Sequence, residues 1–304
     1  MAAATIVPGR VLGRAGGSRA GKPNSNFGGV QIGAITYSFR SMPGSAENIL
    51  KYVVRCGLSS IELMGDPAEK FAGAPTGGGR GRARTAEQKR TQKQRQEQLL
   101  EWRLSVSMDK YRALRKMYNN AGVNIHIVKF GSIGNAGMPD SEIEYYFNVA
   151  KALGARGITR ELSEQAAERL GPIADRHKIM IGFHNHTQLT PTTYDGPILS
   201  HGKYLGINFD IGHYVAGTNH SPIPLIEKFH DRILSLHLKD RKVNGGPNMP
   251  FGQGDTPVAL VLNLMKRKGW KFPADIELEY KVPQDSDAVT EVTKCVEFCQ
   301  KALA

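Results

Sequence analysis

From residue 30 onward, short β-branched runs alternate with amphipathic stretches. Brief apolar runs bounded by turn residues predict buried strands. Eight such runs are present, at 30–38, 59–64, 123–130, 157–162, 179–186, 205–210, 233–240 and 274–280. Apolar residues at three- and four-residue spacing predict helices over 46–56, 141–153, 164–177 and about 286–303. Ser45 stands where the first of these needs an N-cap, and Asp140 or Ser141 does so for the second.

Strictly alternating strands and helices imply parallel pairing, because a parallel pair needs a crossover connection. Eight units closing on themselves give an α/β fold of the (β/α)8 TIM-barrel type. An open dinucleotide-binding sheet is the rival, but no G-x-G-x-x-G follows the first strand. One connection is too long. Some 58 residues separate Met64 from Val123, including a Gly-rich stretch at 73–79 and a Gln-, Lys- and Arg-rich helical segment at 84–104. The reading is a single barrel domain over 30–304, with a helical insertion at about 66–106 after strand 2. Residues 1–29, rich in Gly, Ala, Ser and Arg without periodicity, read as a disordered basic arm.

The composition is that of a globular protein: 304 residues, 40% hydrophobic and 22% charged. The net charge of +12 first suggests an anionic partner. Its distribution weakens that reading. Residues 1–30 hold four basic and no acidic side chains, and residues 80–95 hold seven basic and one acidic. The excess therefore sits in the arm and the insertion, and no nucleic-acid partner is expected. Three cysteines form no disulfide framework, so a reducing, cytoplasmic compartment is expected. The apolar runs are too short to span a membrane, and no membrane partner is expected. Leu99, Leu100, Trp102 and Leu104 form an apolar tail on the insertion that needs a burial partner, and a homo-oligomer is one way to supply it.

Acidic residues and histidines gather at the ends of the predicted strands: Glu161, Asp210, His237 and Glu279. In a parallel barrel these ends converge on one mouth. Three carboxylates and an imidazole there suit a divalent cation, although solvated mouth residues give the same pattern. Glu277 and Glu279, two apart, share a face. Lys129 on strand 3 reaches the mouth as a proton carrier or hydroxyl donor, and Glu62 on strand 2 also points there.

The stretch Phe209-Asp210-Ile211-Gly212-His213, followed by Ser235-Leu236-His237-Leu238-Lys239-Asp240-Arg241, resembles the xylose isomerase-like barrel superfamily. Its sugar phosphate isomerase/epimerase branch is the best match. Phe183-His184-Asn185-His186 and the loop Pro250-Phe251-Gly252-Gln253-Gly254-Asp255 are similar to further motifs of that branch. The resemblance spans about residues 30–302. It implies that Glu161, Asp210, His237 and Glu279 hold one divalent metal ion per chain. Manganese is the first expectation, with cobalt, magnesium or zinc as alternatives. Glu279 is preferred over Glu277 because the family ligand precedes an aromatic residue, here Tyr280. The resemblance further implies that Glu161 and Glu279 move protons, and that His184, His213 and Arg241 contact substrate.

The expected activity is thus isomerisation or epimerisation of a sugar by proton abstraction next to a carbonyl. A lyase acting on 3-keto-glycosides by β-elimination would use the same groups, and a large insertion at the mouth suits a glycoside. An apurinic endonuclease shares the barrel but needs three zinc ions. Residues 244–256 offer one Asp, Asp255, and no His for them. A metal-free binding scaffold is the non-enzymatic alternative; it would tolerate loss of Glu161 and Glu279.

Overall fold

The structure, a computed structural model, describes residues 21–75 and 85–304. The expected arm over residues 1–20, and the part of the insertion at 76–84, lie outside the described residues.

Eight parallel strands close into a barrel: β1 (Val30–Ile35), β2 (Ser60–Met64), β3 (Asn124–Lys129), β4 (Gly157–Glu161), β5 (Met180–His184), β6 (Leu205–Asp210), β7 (Ile233–Leu238) and β8 (Ala274–Ile276). Each pairs with its successor, and β8 closes on β1 through Ala274↔Ile32 and Ile276↔Ala34. The outer helices are α1 (Ala46–Arg55), α2 (Gly65–Phe71), α3 (Ala86–Ser105), α4 (Asp109–Asn120), α5 (Asp140–Leu153), α6 (Glu164–His177), α7 (Ile211–Thr218), α8 (Ile223–Phe229), α9 (Val258–Lys268) and α10 (Ala288–Leu303). No described helix is long and apolar enough to cross a membrane.

Local chemistry sets the boundaries. Ser45 caps α1 by accepting from the Asn48 amide, as its side chain predicts, and Ser163 and Asp287 cap α6 and α10 in the same way. Helix α5 begins at Asp140, one residue earlier than its periodicity suggests, with Pro139 at the N-cap. Two strand boundaries differ from expectation. The residues after Ile35 coil into a 3-10 turn (Thr36–Phe39). The β8 ladder stops at Ile276, because the Ser38 hydroxyl donates to the Ile276 carbonyl and accepts from the Leu278 amide.

Order also begins before Val30, so the arm reading does not extend over residues 25–29. Asn26–Phe27 pairs antiparallel with β1, and the buried Ser25 hydroxyl donates to the Ile32 carbonyl at 2.6 Å.

Among the described residues, the insertion holds α2 and α3. A capping box, Thr85 with Gln88, starts α3. No residue of this helix is fully buried. A helix polar on every side packs only where specific contacts hold it. Those contacts lie in its last turns. Trp102 meets the Tyr145 ring edge-on at 6.4 Å, and Arg103 is enclosed between Glu69 of α2 and Glu142 of α5. Leu104 stays exposed.

The barrel interior is polar where such barrels are usually filled by branched aliphatic side chains. In its lower half, Ser60 Oγ lies 2.7 Å from His126 Nδ1, and His126 Nε2 lies 2.9 Å from Asp275 Oδ2. Above, Glu62 accepts from Thr159 Oγ1 at 2.5 Å and pairs with His237 Nε2 at 2.9 Å. All of these groups are buried, so their partners come from within the protein; Asp275 Oδ1 alone among their oxygens has no hydrogen-bond partner.

Candidate metal centre and active site

Asp210 ends β6 and caps α7, which explains the Asp-x-x-His spacing. Its Oδ1 accepts the His213 amide at 2.6 Å. Its main chain is clamped by Asn185, whose carboxamide accepts from the Asp210 amide and donates to the Asp210 carbonyl. Gly212 lets α7 start this close to β7, since a Cβ there would stand 2.5 Å from the Lys239 carbonyl oxygen. The outcome is a fully buried carboxylate whose second oxygen, Oδ2, has one close cation, Lys239 Nζ at 2.9 Å. A buried carboxylate oxygen is costly unless a cation serves it.

Three further donors surround it. Single ligand atoms of His184, Asp210, His237 and Glu277 all lie within 4.8 Å of one another, and all four residues are buried. The tautomer of His184 follows from its neighbour. Asn208 Nδ2 donates to Ser235 Oγ, so its Oδ1 faces His184 Nδ1 at 2.8 Å and accepts from it. That leaves the His184 Nε2 lone pair free. Burial and then Lys129 hold this imidazole well below its ordinary pKa, hence neutral.

His237 lies between two carboxylates, Glu277 at Nδ1 and Glu62 at Nε2, each at 2.9 Å. Burial alone would lower its pKa, but Glu62 and Glu277 outweigh it and raise it to about 10. Glu62 stands behind the ring, on the side away from Glu277. A carboxylate on the far nitrogen is the arrangement that orients metal-ligating histidines. The donor set of two imidazoles and two carboxylates fits a divalent transition ion.

The residues singled out in the sequence fall into two groups. Asp210 and His237 join the buried cluster, together with His184, expected as a substrate contact, and Glu277, set aside in favour of Glu279. Glu161 and Glu279 do not belong to it. Glu161 is 41% exposed, with Lys129 Nζ at 3.1 Å and His186 Nδ1 at 3.7 Å. Glu279 is 23% exposed and lies 2.7 Å from Lys239 Nζ. Both line one cavity of about 450 Å³, with Lys129, His184, His186 and Glu277 also in its wall. The far wall carries Glu69 and Arg103 of the insertion.

His213 is enclosed rather than open to this cavity. Arg241 Nη1 donates to its Nδ1 at 2.7 Å, and Lys239 Nζ lies 2.9 Å from its Nε2. Arg241 also donates to the Gly246 carbonyl at 2.6 Å, which ties it to the loop it comes from. Asp240 organises the neighbouring loop by accepting the amides of Gly252, Gly254 and Thr256. Gly254 is obligatory in that turn, since a Cβ would stand 1.9 Å from Asp240 Oδ1. Asp255 is engaged by Lys242 and the Val243 amide. Three residues that sequence reasoning left without a role are central here: Glu62, Glu277 and Lys239. Lys239 was visible only as a member of the His-x-Lys-Asp string.

A family model described as xylose isomerase-like TIM barrel matches residues 91–298. No curated protein matches the chain. Among solved structures, D-psicose 3-epimerase from Clostridium cellulolyticum H10 is 12% identical, with a TM-score of 0.61 over 90% of this chain and 99% of that one. A sugar phosphate isomerase/epimerase from Parabacteroides distasonis ATCC 8503 is 18% identical, with a TM-score of 0.57 over 90% and 94%. A xylose isomerase domain protein from Alicyclobacillus acidocaldarius is 14% identical, with a TM-score of 0.62 over 90% and 99%. At these identities the likeness is one of fold.

Proposed function

The chain belongs to the xylose isomerase-like TIM-barrel family, and from that premise we propose that it is a divalent-metal-dependent sugar isomerase or epimerase. The observation that carries this reading is the buried quartet His184, Asp210, His237 and Glu277, whose ligand atoms all lie within 4.8 Å of one another. These four residues would hold the ion, and manganese is the ion to test first. When bound, a divalent cation supplies Lewis-acid polarisation of a carbonyl and its neighbouring hydroxyl.

The rest of the chemistry falls to the side chains. Glu161 and Glu279 line the same cavity above the quartet. One removes the proton from the carbon next to the carbonyl, and the other returns a proton to that carbon or its neighbour. Lys129 holds Glu161 in place at 3.1 Å and offers a donor to the substrate oxygen that gains charge. Asn208 and Glu62 keep the two imidazoles in fixed orientations.

One observation favours a second reading. The cavity reaches past the quartet to Arg103 and Glu69 of the insertion, and its volume of about 450 Å³ admits a ligand larger than a simple monosaccharide. The same groups would then eliminate the C1 substituent of a 3-keto-glycoside. Incubation of the manganese-loaded protein in deuterated water with ketohexoses and with aryl 3-keto-glucosides tests both. Deuterium next to the carbonyl without aglycone release is the expected result. Aglycone release would favour the lyase, and the absence of both deuterium incorporation and aglycone release would overturn both readings.

A further inference from the structure

Lys239 lies two residues beyond His237 on the same strand path and is 1% exposed. Its ammonium touches three carboxylates: Asp210 Oδ2 at 2.9 Å, Glu277 Oε2 at 3.0 Å and Glu279 Oε2 at 2.7 Å. Two of these residues, Asp210 and Glu277, belong to the metal quartet. Asp210 has no spare oxygen, because Oδ1 is committed to the His213 amide. The one oxygen it can give to a metal is therefore the one that Lys239 holds.

The fourth neighbour of the ammonium does little to retain it. Arg241 is always a donor, so its 2.7 Å contact makes His213 Nδ1 the acceptor. In a neutral imidazole the proton then resides on Nε2, which faces Lys239 at 2.9 Å. Lys239 is held in place by carboxylates alone. Only Glu279, at the mouth, lies outside the quartet.

We propose that Lys239 is the resident counter-ion of the metal-free site, and that it yields Asp210 and Glu277 to the incoming divalent cation and withdraws onto Glu279. This inference rests on the metal reading above. Two cations sharing one carboxylate oxygen repel each other, so the lysine lowers the affinity for metal. It also neutralises the buried Asp210 carboxylate, whose Oδ2 has no other close cation, so the barrel stays folded without metal.

The test is Mn²⁺ binding by titration calorimetry, with thermal melting of the metal-free protein, on wild type, K239M and K239R. K239M should bind Mn²⁺ at least tenfold more tightly and melt at a lower temperature without metal. K239R keeps the charge and should bind no more tightly than wild type. K239Q, a neutral donor, is the second variant should K239M not fold; its affinity should rise in the same direction. Equal or weaker Mn²⁺ binding by K239M or K239Q, against measurable binding by wild type, would overturn the counter-ion role and leave the metal reading standing. A gain in K239R equal to that in K239M would assign the effect to side-chain shape, and would also overturn it. Absence of Mn²⁺ binding in every variant and in wild type would remove this inference and the metal reading together.

Discussion

Glu62 Oε2 lies 2.9 Å from His237 Nε2 at the fully buried centre of the barrel, across a separation of 175 residues in the chain. The contact fixes the ring from behind while its other nitrogen faces Glu277. Substitution E62Q replaces an ionic acceptor with a neutral amide. Removal of such a carboxylate behind a ligating histidine weakens metal binding by about 10- to 100-fold. Mn²⁺ titration of E62Q should show that loss, and unchanged affinity would mean that Glu62 serves only the fold.

The two mouth glutamates are expected to separate from the buried quartet. E161Q should retain Mn²⁺ affinity within about threefold, D210N and E277Q should lose it, and E279Q should bind Mn²⁺ more weakly only because Lys239 loses the carboxylate onto which it withdraws. Positioned acid–base groups contribute about 10²- to 10⁴-fold, so solvent-deuterium exchange into substrate should fall by that factor in E161Q or E279Q. Loss of Mn²⁺ binding in E161Q would instead make Glu161 a ligand, as the family resemblance implies.

Arg103 should hold the insertion against the barrel. Its guanidinium makes two bonds to Glu69, at 2.8 and 2.9 Å, and one to Glu142 at 2.6 Å, with its side chain 14% exposed. R103M strands two largely buried carboxylates. Breaking such a pair from one side costs about 3–5 kcal/mol. Amide hydrogen exchange over residues 99–105 should accelerate accordingly, while strands of the barrel keep their protection. Equal protection of α3 in R103M would show that Trp102 and its apolar neighbours anchor the insertion unaided.

The cysteines should be silent. Burial pushes the Cys56 thiol up to about 11 and the Cys295 thiol up to about 12, and Cys299 is also raised well above the ordinary range. At pH 8 the native protein should therefore consume no thiol reagent, and the denatured protein should consume three equivalents. One rapidly reacting native thiol would contradict this packing.

Much of this arrangement can be read in the chain before any coordinates. The strand–helix alternation gives the barrel, and the acidic residues and histidines at strand ends mark Asp210 and His237. The rest depends on which distant side chains share the interior. Glu277 and Glu279 have the same two-residue phase, so periodicity cannot rank them. The ladder ends at Ile276, and Glu277 comes against His237 while Glu279 comes against Lys239. His184 becomes a free electron-pair donor only because Asn208, on the next strand, takes its other nitrogen. Arg103 stands among Leu100, Trp102 and Leu104, but its own charge gives no signal for burial, and its partners Glu69 and Glu142 are 34 and 39 residues away.

The polar column inside the barrel bears on how the chain reaches this state. His126 of β3 meets Asp275 of β8, and Glu62 of β2 meets His237 of β7. Each pair joins the first half of the chain to the second. A half-barrel would expose or strand one member of both pairs, so neither half has a satisfied interior by itself. Closure of the ring and neutralisation of its centre are thus one event. Folding is expected to be slow, with high contact order, and strongly cooperative. Fragments cut between β4 and β5 should remain unfolded until mixed.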